Sequence, residues 1–140
     1  MLSCGEAKKI MNDLDQTIKH DETAKGLGGV NPLVVIRCLT YNHEPYIRDC
    51  LEGFVMQKTN FPFVAIVHDD ASTDHTADIV REYAEKYPDI IHPIFETENQ
   101  YSKRDGSLGR IMNEAIAATG CKYIAMCEGD DYWIDPLKLQ

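Results

Sequence analysis

Between Leu33 and the C-terminus, short apolar runs alternate four times with segments of helical periodicity, and few folds accept that rhythm. The runs are Leu33–Leu39, Phe63–His68, Ile90–Phe95 and Tyr123–Cys127, rich in Val and Ile and bounded by Gly, Pro or charge. Such runs read as buried strands. The first suits a central strand covered on both faces, and Pro93 places the third at a sheet edge. Between them, Tyr46, Ile47, Cys50, Leu51, Phe54 and Val55 recur at helical spacing behind Pro45, a residue suited to the first helical position. Ile79, Val80, Tyr83, Ala84 and Tyr87 mark a second helical face, ended by Pro88. Leu108, Ile111, Met112, Ala115 and Ile116 mark a third, stopped by Gly120. Asp135-Pro136 reads as the N-cap and first residue of one more helix. The alternation predicts an α/β domain: a mostly parallel sheet with right-handed crossovers and helices on both faces, a Rossmann-like three-layer α/β/α arrangement.

Ahead of that domain, Ala7, Ile10, Met11, Leu14 and Ile18 lie three or four apart, which predicts an amphipathic helix over residues 5–20. Gly26, Gly28 and Gly29 then read as a flexible connector. Residues 1–30 are thus a helix and Gly-rich linker, and residues 31–140 the domain. The helix is free to dock on the domain or on a second copy, which would make a homo-oligomer. A net charge of −9 argues against a nucleic-acid partner, whose binding is driven by Lys and Arg; it leaves room for a nucleotide, whose few phosphates a metal can neutralise. No apolar stretch approaches the ~20 residues that span a bilayer, and the N-terminus lacks the order of a signal peptide. The five cysteines form no C-x-x-C pair. Two of them sit in apolar strands, the pattern of reduced core thiols in a cytoplasmic protein, and no structural zinc site is expected.

In a parallel sheet of this type ligands bind beyond the carboxyl ends of the strands, where strand order reverses. Three polar clusters fall at that edge: Thr40 to Glu44, Asp69 with Asp70, and Glu128 to Asp131. The last puts three carboxylates within four positions. Like charges so close disfavour one another's ionisation, and a hard cation such as Mg²⁺ or Mn²⁺ would offset the repulsion. Taken singly each feature has a plainer reading. The acids after Cys127 make a solvated turn; Asp69, Asp70 and Glu44 favour helix N-termini; His68 packs inside. Tyr132 and Trp133 are packing aromatics, and Arg110 and Lys103 are surface charges. The shared position of the three clusters in the repeat is what argues for one composite site.

Leu39-Thr40-Tyr41-Asn42, then Val67-His68-Asp69-Asp70-Ala71-Ser72-Thr73-Asp74, then Glu128-Gly129-Asp130-Asp131-Tyr132-Trp133, in this order, resemble the family 2 glycosyltransferases of the GT-A fold. The resemblance covers roughly residues 31–140 and implies the nucleotide-sugar-binding half of a GT-A domain, truncated after its metal-binding motif. It implies that Thr40 and Tyr41 lie against nucleobase and ribose, with Asn42, Glu44 and Asp69 in the same nucleotide-binding set. Asp70 would accept a hydrogen bond from the base, a ring N–H if that base is uracil. Glu128-Gly129-Asp130 stands for the family's Asp-x-Asp signature, with Glu in place of the first Asp. Asp130 and Glu128 are then the candidate ligands of Mn²⁺ or Mg²⁺ on the diphosphate, and Asp131 or Glu128 would reach ribose or metal-bound water. Where the family often carries Ala-Arg-Asn this chain has Gly106-Ser107-Leu108-Gly109-Arg110, so the diphosphate contact stays open between Arg110, Lys103 and Arg104.

The implied reaction is inverting transfer from a nucleoside-diphosphate sugar, a UDP-sugar favoured, to a hydroxyl of a glycan or lipid-linked acceptor in surface polysaccharide synthesis. That chemistry belongs in the cytoplasm or at the inner face of the membrane. Negative charge grows on the leaving phosphate, so a Lewis-acidic cation and fixed positive charge both lower the barrier. The general base is expected beyond Gln140. A nucleotidyltransferase would show a Gly-rich basic loop after the first strand, and a dehydrogenase a G-x-G-x-x-G there; Thr40 to Glu44 is neither. The remaining alternative is a nucleotide-binding fragment or module without turnover.

Overall fold

The computed structural model describes residues 2–3 and 31–140. In chain order the elements are β1 (Leu2–Ser3), β2 (Val34–Thr40), α1 (Glu44–Val55), β3 (Phe63–Asp69), α2 (Thr76–Lys86), β4 (Ile91–Phe95), a 3-10 turn at Tyr101–Lys103, α3 (Ser107–Ala118) and β5 (Tyr123–Met126). They form one sheet of order β1-β5-β2-β3-β4. β5, β2, β3 and β4 are mutually parallel, and β1 pairs antiparallel with β5. The register runs from Val34 opposite Phe63 to Thr40 opposite Asp69, and from Val34 opposite Tyr123 to Arg37 opposite Met126. The chain moves outward from β2 to β3 and β4, then returns to the other side of β2 as β5. Strand order therefore reverses at β2, and the crevice of a parallel sheet opens above its carboxyl end.

The alternation of inward positions explains the three layers. Ile36, Cys38, Ala65 and Val67 face one side and pack with Ile47, Leu51 and Phe54 of α1 and Val80 and Tyr83 of α2. Their neighbours Val35, Val64, Ile66 and Ile124 face the other side and pack with Met112 and Ile116 of α3. Each buried Val, Leu, Ile, Phe or Met among them stabilises the fold by about 1.5–3 kcal/mol. Pro45 lies in the first turn of α1, and Pro93 sits in β4 at the sheet edge, both as the sequence predicts. β2 and β3 each run one residue farther than their apolar runs, so Thr40 and Asp69 are held by the ladder rather than by a loop.

Two expectations change. Asp135-Pro136 does not begin a helix: Asp135 Oδ1 accepts the Leu137 N–H at 2.9 Å and its carbonyl accepts Lys138 N–H at 3.2 Å, a turn that goes no further. The end of α1 captures the chain instead. Gln57 Nε2 donates to the Asp135 carbonyl at 2.8 Å, Gln57 Oε1 accepts Leu139 N–H at 3.1 Å, and Leu139 is buried in the core. The thiols also divide: Cys38, Cys50 and Cys127 are free and buried, as expected, whereas Cys121 is disulfide-bonded. The amphipathic helix and Gly-rich linker assigned to residues 1–30 lie outside the described residues. The strand pairing of Leu2 and Ser3 is a contact that no pattern in the sequence announces.

Candidate functional site

Thr40, the last residue of β2, joins the three clusters. Its carbonyl accepts the Asp70 N–H at 3.0 Å, which ties it to the loop after β3. Its side chain is buried, and Oγ1 lies 3.1 Å from His43 Nδ1. On its other side sits Gly129, where a Cβ would fall 2.6 Å from Thr40 Oγ1 and 2.7 Å from His43 Nδ1. Only a residue without a side chain lets the acidic loop lie so close. The β5–β2 ladder continues into that loop, with Cys127 N–H donating to the Arg37 carbonyl at 3.1 Å and Gly129 N–H to the Leu39 carbonyl at 2.9 Å. Thr40, Asp69–Asp70 and Glu128–Asp131 thus meet at one rim of the sheet, at the switch point.

The side chains at this rim divide into those that build it and those that face outward. Asn42, at φ +51°, accepts on Oδ1 from Thr73 N–H at 2.8 Å while its own N–H donates to Ser72 Oγ at 2.9 Å. Glu44 accepts His75 N–H at 3.1 Å and donates its N–H to Asp74 Oδ2 at 3.2 Å. Asp69 accepts the Ser72 hydroxyl at 2.6 Å and the Ser72 N–H at 3.1 Å. Asn42 and Glu44 bond the loops after β2 and β3 to each other, while Asp69 closes the β3 loop on itself through Ser72; together they shape the rim. Asp70 is buried; its carboxylate accepts Gln100 N–H at 2.6 Å and Tyr101 N–H at 3.0 Å, which orders the loop after β4. A carboxylate has about four lone-pair sites, so two remain. Tyr41 is exposed, and so are Asp130 and Asp131. Arg110 is exposed in the first turn of α3, and its charge helps hold the Asp105 carboxyl below its ordinary value, after the hydrogen bonds from Ser107. Lys103 pairs with Glu98 at 3.2 Å.

The acidic loop has an electrostatic logic of its own. Burial, then Asp130 and Asp131, push the Glu128 carboxyl above its ordinary value, while Arg37 and His43 pull it down. Arg37 Nη1 lies 3.5 Å from Glu128 Oε1. Beneath the loop three thiols gather: Cys38 and Cys50 sulfurs are 4.0 Å apart, and Cys50 Sγ donates to the Glu128 carbonyl at 3.4 Å. Bonding to Cys50 and burial raise the Cys127 thiol, and all three thiols are buried, so the cluster acts by packing. His68 is fully buried with Nε2 3.1 Å from Glu96 Oε1, an internal histidine as its plainer reading has it. Trp133 packs on Phe54 at 5.3 Å between ring centroids, and its backbone N and O lie 3.0 Å from where a Cβ on Gly53 would fall.

Among the described residues no three His, Cys, Asp or Glu side chains converge as a ready-made metal cage. The donor set nevertheless fits Mg²⁺ or Mn²⁺, which are held through one or two carboxylates plus substrate phosphates and water rather than by an all-protein cage. A hollow of about 300 Å³ lies at the opposite edge of the sheet, lined by Leu33, Val34, Phe61, Tyr123, Leu139 and Gln140. Its lining is mostly apolar, and it lies away from the three polar loops. The sequence gives Arg37, His43, Cys50 and Gly129 no individual role at the site. For Arg37 the signal was present: a charge inside an otherwise apolar strand.

The family described as Glycosyl transferase family 2 matches residues 36–140. Uncharacterized protein Rv1520 of Mycobacterium tuberculosis (strain ATCC 25618 / H37Rv) is 46% identical over 103 residues, 72% of this chain and 28% of that protein. The poly(ribitol-phosphate) beta-glucosyltransferase of Bacillus spizizenii is 34% identical over 95 residues, 66% of this chain and 14% of that one. Among solved structures, S. aureus TarS 1-349 in complex with UDP matches with a TM-score of 0.59 at 28% identity, covering 76% of this chain and 29% of that chain. The chain spans less than a third of the length of each of these relatives.

Proposed function

Because the chain belongs to glycosyltransferase family 2, we propose that it moves a sugar from a nucleoside-diphosphate donor to an acceptor hydroxyl with the help of Mn²⁺ or Mg²⁺. The observation that carries this reading is the meeting of the three loops on Thr40, at the sheet's switch point. Asp130 and Glu128 are the candidates that would hold the cation, Asp130 the foremost, and Asp131 would reach ribose or metal-bound water. The cation, when bound, supplies Lewis-acid stabilisation of the departing diphosphate. Tyr41 offers its exposed ring to the base, and the free lone pairs of Asp70 accept its ring N–H. Thr40 fixes the floor of that pocket, and Asn42, Glu44 and Asp69 hold its walls. Arg110, Lys103 and Arg104 are the cationic candidates for the diphosphate, where fixed positive charge lowers the barrier.

The UDP held by TarS favours a uridine donor. Transfer is inverting, toward a glycan or lipid-linked acceptor in surface polysaccharide synthesis, in the cytoplasm or at the inner face of the membrane. No helix among the described residues is long and apolar enough to cross a membrane. Calorimetry with UDP and with GDP, each with and without Mn²⁺, tests the reading. The expected result is UDP binding that strengthens at least tenfold with Mn²⁺. Failure of both nucleotides to bind in the presence of Mn²⁺ overturns it.

A further inference from the structure

Arg37 is a charge with no evident reason to be where it is. It sits on β2 between Ile36 and Cys38, which are both fully buried, and lies in register with Ile66 on one side and Met126 on the other. Its side chain is 18% exposed and its ion-pair partner is Glu128, 41% exposed, at 3.5 Å. The main chain around that partner is fixed independently. Gly129 N–H is bonded to the Leu39 carbonyl, and the Glu128 carbonyl accepts the Cys50 thiol. What remains free at Glu128 is the rotation of its side chain, and Arg37 takes that up. The ion pair turns the half-exposed Glu128 carboxylate toward Arg37, and a cation that took it would leave a largely buried guanidinium without its partner. Asp130 and Asp131 have no such restraint and face solvent.

We propose that Arg37 is a positioning residue that withholds Glu128 from the cation, so that the rim without a nucleotide is one ligand short. This rests on the reading of the rim as a metal-and-nucleotide site. Mg²⁺ and Mn²⁺ complete their shells with substrate phosphate oxygens when the protein offers few ligands. With Glu128 held down, the cation binds weakly until a diphosphate supplies the missing oxygens. Cation and donor then bind as a pair. By linkage, each strengthens the other by the same factor.

The test is Mn²⁺ binding to the full chain without nucleotide, followed by the loss of the free-ion EPR signal, and then UDP calorimetry. Wild-type protein is expected to bind Mn²⁺ alone at least tenfold more weakly than in the presence of saturating UDP. Arg37→Met frees Glu128 and tightens Mn²⁺ binding to the nucleotide-free protein fivefold or more, and adding Glu128→Gln to it returns the wild-type value. Glu128→Gln alone changes that affinity less than twofold, since the carboxylate it removes was not available. This last arm separates withholding from bulk electrostatics, which would make Glu128→Gln weaken Mn²⁺ as much as Arg37→Met strengthens it. It also decides the matter if Arg37→Met does not fold. Weakening by Glu128→Gln alone comparable to that of Asp130→Asn overturns the proposal. If UDP fails to bind the wild type at all, the proposed function falls, while the nucleotide-free Mn²⁺ titrations still report on Arg37 and Glu128 separately.

Discussion

Replacing Gly129 by Ala adds one methyl group at the most crowded point of the rim. The new Cβ would lie 2.6 Å from Thr40 Oγ1, 2.7 Å from Thr40 Cβ and 2.7 Å from His43 Nδ1. Carbon atoms rest about 3.5 Å apart, so the acidic loop must retreat by about 0.8 Å. Thr40 cannot give way, because its backbone is paired with Asp69 and it closes the β2–β3 ladder. Overpacking of this kind costs about 1–3 kcal/mol, and stretching the 2.9 Å bond from Gly129 N–H to the Leu39 carbonyl adds up to about 1 kcal/mol. For a domain of this size each kcal/mol lowers Tm by about 4 °C, so circular dichroism should record a fall of about 4–16 °C. The retreat also carries Asp130 away from the diphosphate, and calorimetry should show UDP binding in Mn²⁺ weakened at least tenfold, a loss of about 1.4 kcal/mol. Adding His43→Ala should recover little, since the Thr40 Cβ is as near as the His43 ring. A Gly129→Ala protein with Tm within about 2 °C of wild type and unchanged UDP affinity would refute the reasoning.

Gly109→Ala is the matched control: a Cβ there meets nothing within 4 Å, and in the helix interior Ala replaces Gly with a gain of about 0.5–1 kcal/mol, read as a raised Tm. Asp130→Asn should abolish the Mn²⁺-dependent part of UDP binding while leaving Tm within about 3 °C, because the side chain is exposed. Trp133→Ala should lower stability by about 1.5–3 kcal/mol in urea titration, since its ring packs on Phe54. Asp74→Ala removes the carboxylate that accepts Thr76 N–H at 2.9 Å and Glu44 N–H at 3.2 Å, at a cost of about 1 kcal/mol at pH 7. Although burial opposes it, bonding from Thr76 and Glu44 holds the Asp74 carboxyl below its ordinary value of 3.8. Its contribution is therefore present above that value and lost as pH falls through the lower folded one, so wild type and variant should converge in stability as pH falls below 3.8.

The fold was legible because two periodicities alternate without interruption, and each cap residue agrees with them: Pro45 starts α1, Gly120 follows α3, and Pro93 marks the edge strand. The composite rim followed from topology alone, since every strand of a parallel sheet delivers its trailing loop to the same edge. What was not legible depends on which partner a polar group meets across the chain. Asn42 looks like a ligand in sequence, but thirty-one positions later Thr73 presents the N–H that occupies it. Asp135-Pro136 carries a real helix-start signal, yet Gln57 captures the following residues through two hydrogen bonds before a turn can propagate. Arg37 interrupts an apolar strand visibly, but its meaning appears only when β5 lays Glu128 beside it, ninety-one positions away.

Chemical-shift mapping of the full chain with UDP and Mg²⁺, followed by Mn²⁺ as a paramagnetic substitute, addresses the composite site residue by residue. The account predicts shifts concentrated at Thr40–Tyr41, Asp70, Tyr101 and the Glu128–Asp131 loop, with the strongest Mn²⁺ broadening at Asp130. Shifts confined to the opposite edge around Leu33, Phe61 and Leu139, or broadening that spares Asp130, would contradict it.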